Sequence, residues 1–149
     1  MAEPRKISVE HFRKLERLYA AAPINAWFRP ELRIAQGEAE IRIPLRPEFH
    51  HAAGATHGTL YFKALDDATF FAANSLVDEC FVLTARFEIE LLRPVVAGEL
   101  RSVGRVTAQT ERRLVAEGEL FDGEGNLIGR GKGEFSRSKI ALTPAVHYI

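Results

Sequence analysis

The apolar positions of this chain change their period from segment to segment, and each change marks an element. From Ser8 to Ala22, Phe12, Leu15, Leu18 and Tyr19 fall on one helical face, with Ser8 placed to cap the first turn. Pro23 stops that helix. Ala35 to Pro44 alternates instead: Ala39, Ile41 and Ile43 point one way, and Glu38, Glu40 and Arg42 the other, as in a half-buried strand. Pro44 and Pro47 end it and open a loop from Leu45 to Thr56 that carries His50, His51 and Gly54. His57 to Val77 is too long and too continuous for a strand and is rich in Ala, Leu and Phe. It predicts a central helix, apolar nearly all round and covered on most sides.

Four strand-like runs follow. Phe81 to Leu92 alternates, with Ala85, Phe87, Ile89 and Leu91 opposite Thr84, Arg86, Glu88 and Glu90. Glu99 to Gln109 follows a turn at Val96-Ala97-Gly98, and Arg113 to Phe121 follows one near Thr110-Glu111. Leu127 to Arg137 comes after Asp122-Gly123-Glu124-Gly125-Asn126, the strongest hairpin signal in the chain. Ser138 to Ile149 shows no period and reads as a tail, and Asn74 and Ser75 read as helix fraying.

Helix, strand, long helix and antiparallel meander make an α+β chain, with one curved antiparallel sheet carrying the central helix on its face. No linker or repeat interrupts it, so residues 1–149 read as a single domain, with an N-terminal helix within 1–22 and a tail at 138–149. Gly118 and the alternating Gly129, Gly131 and Gly133 suggest a sheet face that must accept something bulky, although edge twisting would ask for the same residues.

Composition removes several classes of function. A formal net charge of zero argues for neither nucleic acid nor an anionic membrane as partner. The lone cysteine, Cys80, excludes an internal disulfide and follows Asp78 and Glu79, which disfavour a thiolate; a reducing, cytoplasmic location is expected. Met1 to Ser8 leads into no apolar run, and Lys63, Asp66 and Asp67 interrupt the most apolar stretch, so no leader or membrane span is predicted.

The chemistry concentrates in His51-Ala52-Ala53-Gly54-Ala55-Thr56-His57-Gly58-Thr59 and, further on, Asp66-Asp67. A loop there delivers a histidine and a glycine to the start of a covered helix. Free N–H groups and the helix dipole at that end suit a developing oxyanion. Burying an acid in an apolar helix is costly, which marks Asp66 and Asp67 as candidates for a base or nucleophile.

The pattern Gly-x-x-His-Gly, with an acid nine residues after the histidine, resembles the hotdog-fold thioesterases of the phenylacetyl-CoA (PaaI) group, over roughly Ala35 to Arg137. Gly54, His57 and Gly58 match that motif. Asp66 stands at the catalytic acid, and Thr84, ten residues before Pro94, matches a Ser or Thr on the next strand. The resemblance implies an acyl-CoA thioesterase without cofactor or metal, acting as a homodimer or a tetramer built from dimers, with each site shared between subunits. Asp66 would serve as base or nucleophile, the Gly58 N–H as oxyanion donor, His57 as an orienting group and Thr84 as a holder of water. His51, Gly54 and Thr59 would contact substrate, although His51 stands where the family has Asn and Thr59 where it has a second Gly.

Plainer readings accompany these. His57 could only cap the helix, Thr84 could be an ordinary β-branched strand residue, and Asp67, four residues after Lys63, suits an exposed ion pair. His50, His51 and His57 lack the spacing of a metal site. Arg93, Arg112, Arg113, Arg130, Lys132 and Arg137 are candidates for the CoA phosphates, and Phe62, Phe70, Phe71 and Phe81 for the acyl pocket. A non-catalytic acyl-CoA-binding or sensing hotdog domain, and a hotdog dehydratase or hydratase, are the competing functions.

Overall fold

A computed structural model describes residues 5–149, so the reading of Met1 to Ser8 lies partly outside the described residues. The predicted N-terminal helix is α1, Val9–Ala21, and the Ser8 hydroxyl accepts from Glu10 N–H as its cap. A short α2, Asn25–Phe28, follows. The first strands are β1, Glu31–Ala35, and β2, Glu38–Pro44. β1 was not expected; it is short and largely exposed, and gives little alternation to read. The central helix is α3, Gly58–Asn74, with His57 as N-cap. After it come β3 (Cys80–Leu91), β4 (Glu99–Gln109), β5 (Arg113–Phe121) and β6 (Leu127–Ala141).

The six strands form one antiparallel sheet in the order β1-β2-β4-β5-β6-β3. α3 lies across its inner face. Ala64, Leu65, Ala68, Ala72 and Ala73 are fully buried against Ile41, Ile43, Leu100, Leu114 and Leu120. The small residues let the helix come very close. A Cβ on Gly104 of β4 would stand 2.6 Å from the Ala68 carbonyl, so the helix backbone rests directly on that glycine. Gly118 faces Leu65 and Thr69 of α3, as the glycine pattern suggested, whereas Gly131 and Gly133 instead make room for the rings of Phe87 and Phe135.

Three sequence expectations need correction. The tail is ordered: β6 runs on to Ala141, opposite Cys80, and a turn at Pro144–Val146 brings the Tyr148 hydroxyl to His11 Nδ1 of α1, 2.8 Å away. Asn74 and Ser75 do not fray. Asn74 is fully buried, accepts from Val82 N–H and donates to the carbonyls of Val77 and Cys80, while Ser75 Oγ accepts from Gly37 N–H. Polarity at the end of an apolar helix therefore marks a clamp on the β3 and β1–β2 backbone, because buried backbone groups demand partners. Finally, the alternation of β3 is broken. Thr84 pairs with Phe135 and Arg86 with Glu134, which leaves Ala85 as a bulge. Thr84 therefore does not share a face with Arg86 and Glu88; it stands on the inner face with Phe87, Ile89 and Leu91.

Candidate active site

α3 runs antiparallel to the edge strand β3, and the bulge keeps the two in step. Gly58, Phe62, Asp66 and Phe70 recur every fourth residue along one stripe of the helix. A Cβ on Gly58 would meet Leu91 at 3.1 Å. The Phe62 ring stands edge-on to Phe87, with centroids 5.3 Å apart. Thr84 Oγ1 donates to Asp66 Oδ1 at 3.0 Å. Phe70 packs on Phe81 with centroids 5.0 Å apart. One polar pair thus sits in an aromatic seam, between an open end at Phe62 and a closed end at Phe70.

The environment of Asp66 holds its carboxyl well above the ordinary range, at about 6. Burial is the main cause and the neighbouring Asp67 adds to it; the Thr84 hydroxyl and Lys63 oppose it. Thr84 occupies one carboxylate oxygen, and Asp66 Oδ2 has no partner among the described residues. Asp67 points elsewhere. It accepts from Lys63 Nζ at 2.7 Å and from the Tyr19 hydroxyl of α1 at 2.6 Å. The expected ion pair is present but not exposed, since Asp67 is 18% and Lys63 11% accessible. Burial and Asp67 push the Tyr19 phenol far up, so it stays a donor. Nothing in the sequence joined Tyr19 to this group: it reads simply as one of the apolar face of α1, and only the packing of α1 on α3 reveals the contact.

At the helix start, the loop is built to present N–H groups. His57 N–H donates to Phe49 O, Thr56 N–H to Val95 O, and Gly54 turns the chain at φ +85. His57 caps the helix, as the plainer reading had it: Nδ1 accepts from Thr59 N–H at 3.0 Å, and the Thr59 hydroxyl lies at the same distance. The neutral ring must then carry its proton on Nε2, which leaves a donor facing outward. Thr59 so takes up a task that glycine could not. His51 Nδ1 accepts from Ala53 N–H within the loop, and His50 holds the Val96 carbonyl. The Gly58 N–H has no acceptor among the described residues.

The structure brings Asp66 and Thr84 together but not Asp66 and Gly58 of the same chain. Eight residues of helix separate them, about 12 Å along the axis. Of the basic candidates, Arg130 and Lys132 point away, into a groove of about 790 Å³ on the outer face of the sheet. There Glu88, Lys132, Glu117 and Arg105 alternate in sign across the strands, as do Glu90, Arg130 and Glu119. Such a face largely neutralises itself and holds neither the acid nor the N–H donor described above. No group of three or more metal-ligating side chains gathers among the described residues. No helix among them is long and apolar enough to cross a membrane.

A long helix seated on a curved antiparallel sheet, with an acid on that helix and a glycine at its start, defines a hotdog protein with a candidate acyl-transfer site. The sequence model of the thioesterase superfamily matches residues 53–128, just over half of the chain, and the chain belongs to that superfamily, whose general chemistry is thioester hydrolysis. The fold is that of the E. coli PaaI protein from the phenylacetic acid degradation operon, with a TM-score of 0.83 and 18% identity over 93% of this chain and all of that one. A Saccharolobus solfataricus protein whose name proposes an esterase is 25% identical over 91% of this chain and 93% of its own length. One from Sulfurisphaera tokodaii, similarly named, is 28% identical over 68% of this chain and 75% of its own.

Proposed function

We propose that this protein hydrolyses acyl-CoA thioesters to free acid and CoA, in a site shared by two subunits. The observation that carries the reading is a partly buried carboxyl, Asp66, raised to about 6 and fixed by Thr84, at a place where an apolar helix gains nothing structurally from an acid. A group with that affinity for protons is ionised near neutrality yet accepts a proton readily, as a general base requires.

The separation of Gly58 from Asp66 supports the shared site, because an attacking group and its oxyanion donor must meet at one carbonyl. Gly58 of the partner subunit supplies the N–H. The unpaired edge of β3 supports the same arrangement, with Leu83 47%, Leu91 53% and Leu92 41% exposed beside it. Pairing of two such edges makes the dimer, and a tetramer would be a pair of these.

In the reaction, Asp66 Oδ2 removes a proton from water held with the help of Thr84. The hydroxide attacks the carbonyl carbon and the developing oxyanion accepts from the N–H of Gly58 of the partner subunit, with His57 Nε2–H orienting the thioester. Collapse breaks the C–S bond, and the thiolate leaves with the proton that Asp66 took. Direct attack by Asp66, through a mixed anhydride that water then opens, uses the same residues. His51, Gly54 and Thr59 shape the entrance to this helix start.

The test is release of free thiol from a panel of acyl-CoAs by the native protein and by Asp66→Asn. The reading expects turnover by the native protein and a loss of at least about a hundredfold in the variant. Equal turnover by both overturns it.

A further inference from the structure

The shared site fixes more than the identity of its residues. If Gly58 of each subunit serves Asp66 of the other, the two α3 helices cross antiparallel about a two-fold axis, and every contact occurs twice with its members exchanged. The only position that meets its own copy is the one midway between 58 and 66. That position is Phe62. The contacts between helix and edge strand carry this centre across to β3. Leu91 lies beside Gly58 and Thr84 beside Asp66, so the midpoint of β3 falls between Phe87 and Glu88. Phe87 is the residue whose ring meets Phe62. Helix and strand thus place the axis at one aromatic pair.

That pair also borders the reacting carbonyl. Phe62 is one helical turn from Asp66, about 6 Å. On the other side of Asp66 the seam is closed, for Phe70 is only 9% exposed and stands against Phe71, Phe81 and Phe135. On the Phe62 side it is open, and Phe62 is 43% exposed in the single chain. An acyl group bonded to a carbonyl beside Asp66 therefore extends toward Phe62 and ends there. Phe87 is a firm backing for it. Cβ atoms on Gly131 or Gly133 would come within 2.6 and 3.1 Å of its ring, so β6 is hollowed to seat that side chain.

We infer that Phe62 sits on the dimer axis as the common end wall of both acyl pockets, so that one side chain, met by its copy and backed by Phe87, sets the length of acyl group accepted. This rests on the shared-site reading above and adds to it the determinant of chain length. A wall made by two copies of one residue predicts that a single substitution lengthens both pockets at once.

Two measurements test it. In a Cys80→Ser background, Phe62→Cys is treated with a short bis-maleimide. A covalent dimer is expected, with none from Cys80→Ser alone; a protein that is dimeric in solution but does not cross-link, or one that is monomeric, overturns the placement on the axis. The second is the kcat/KM profile of Phe62→Ala and Phe62→Leu across acyl-CoAs of increasing length. The ratio of the longest to the shortest substrate should rise by at least about tenfold in Phe62→Ala and by less in Phe62→Leu, since each methylene accommodated is worth about tenfold or more. A purely structural side chain would scale every substrate by one factor, and that result overturns the wall. Failure of the native protein to release thiol from any acyl-CoA would instead defeat the hydrolase reading, and the cross-link would still decide where Phe62 lies.

Discussion

Asp66→Asn should abolish turnover and yet make the protein more stable. The substitution keeps the shape of the side chain and an oxygen for the Thr84 hydroxyl, and removes only the charge. Burial raises the folded-state carboxyl from 3.8 to about 6, so the folded protein holds this proton more tightly than the unfolded chain. Below the unfolded value both states are protonated and the group costs nothing. As pH rises through the folded value the fold must carry an unwelcome charge, and stability is lost. Fully counted, the shift corresponds to roughly 3 kcal/mol; residual solvent access to the site reduces that to about 1–2 kcal/mol. At about 2–4 °C per kcal/mol for a chain of this size, the variant should melt roughly 2–8 °C higher near pH 8 and unchanged near pH 4. Thermal unfolding followed by circular dichroism at both pH values, with thiol release as the parallel assay, measures this. A variant that melts at or below the native temperature near pH 8, or gains equally at both, refutes the assignment of Asp66 as a strained functional acid.

Other substitutions test the remaining parts. Thr84→Val removes a bond that favours the ionised form of Asp66, so the acid limb of kcat/KM should move up by about one pH unit; an unmoved limb would mean that the bond has no part in tuning. Gly104→Ala sets a methyl 2.6 Å from helix backbone that has no room to yield, and should cost at least about 2 kcal/mol, roughly 4–8 °C in melting temperature. Asn74→Ala leaves the Val82 N–H and the Cys80 carbonyl unpaired in the interior and should cost about 2–4 kcal/mol in chemical unfolding; a neutral result would restore the reading of that helix end as frayed.

Much of the architecture could be read from periodicity, because long amphipathic and apolar runs leave few alternatives. The central helix, the β4–β6 meander and the Asp122–Asn126 turn stand where the pattern put them. What escaped was set by contacts between distant segments. The bulge at Ala85 has no local signal, and without it Thr84 is assigned to the wrong face and parted from Asp66. Asn74 looked like the weak end of a helix because its three backbone partners lie in later segments. The tail beyond Ser138 lacked a period, yet it is held by the β3–β6 pairing and by His11. At the candidate site, the motif from Gly54 to Asp66 and its resemblance to known thioesterases named the candidate residues. It did not show that Thr59 ties the His57 ring or that Tyr19 and Lys63 engage Asp67.

The shared site can be tested by complementation. Gly58→Pro deletes the N–H: proline suits the first position of a helix, His57, at φ −62 and ψ 143, already has the backbone that a following proline requires, and the added Cβ meets only the end of the Leu91 side chain, at 3.1 Å. Gly58→Pro and Asp66→Asn should each be nearly inactive. Mixed in equal amounts and allowed to exchange subunits, they form mixed dimers that carry one intact site, and about a quarter of native activity should return. Mixed dimers that form, by mass, without any return of activity would show that Gly58 and Asp66 do not act on one carbonyl across the interface.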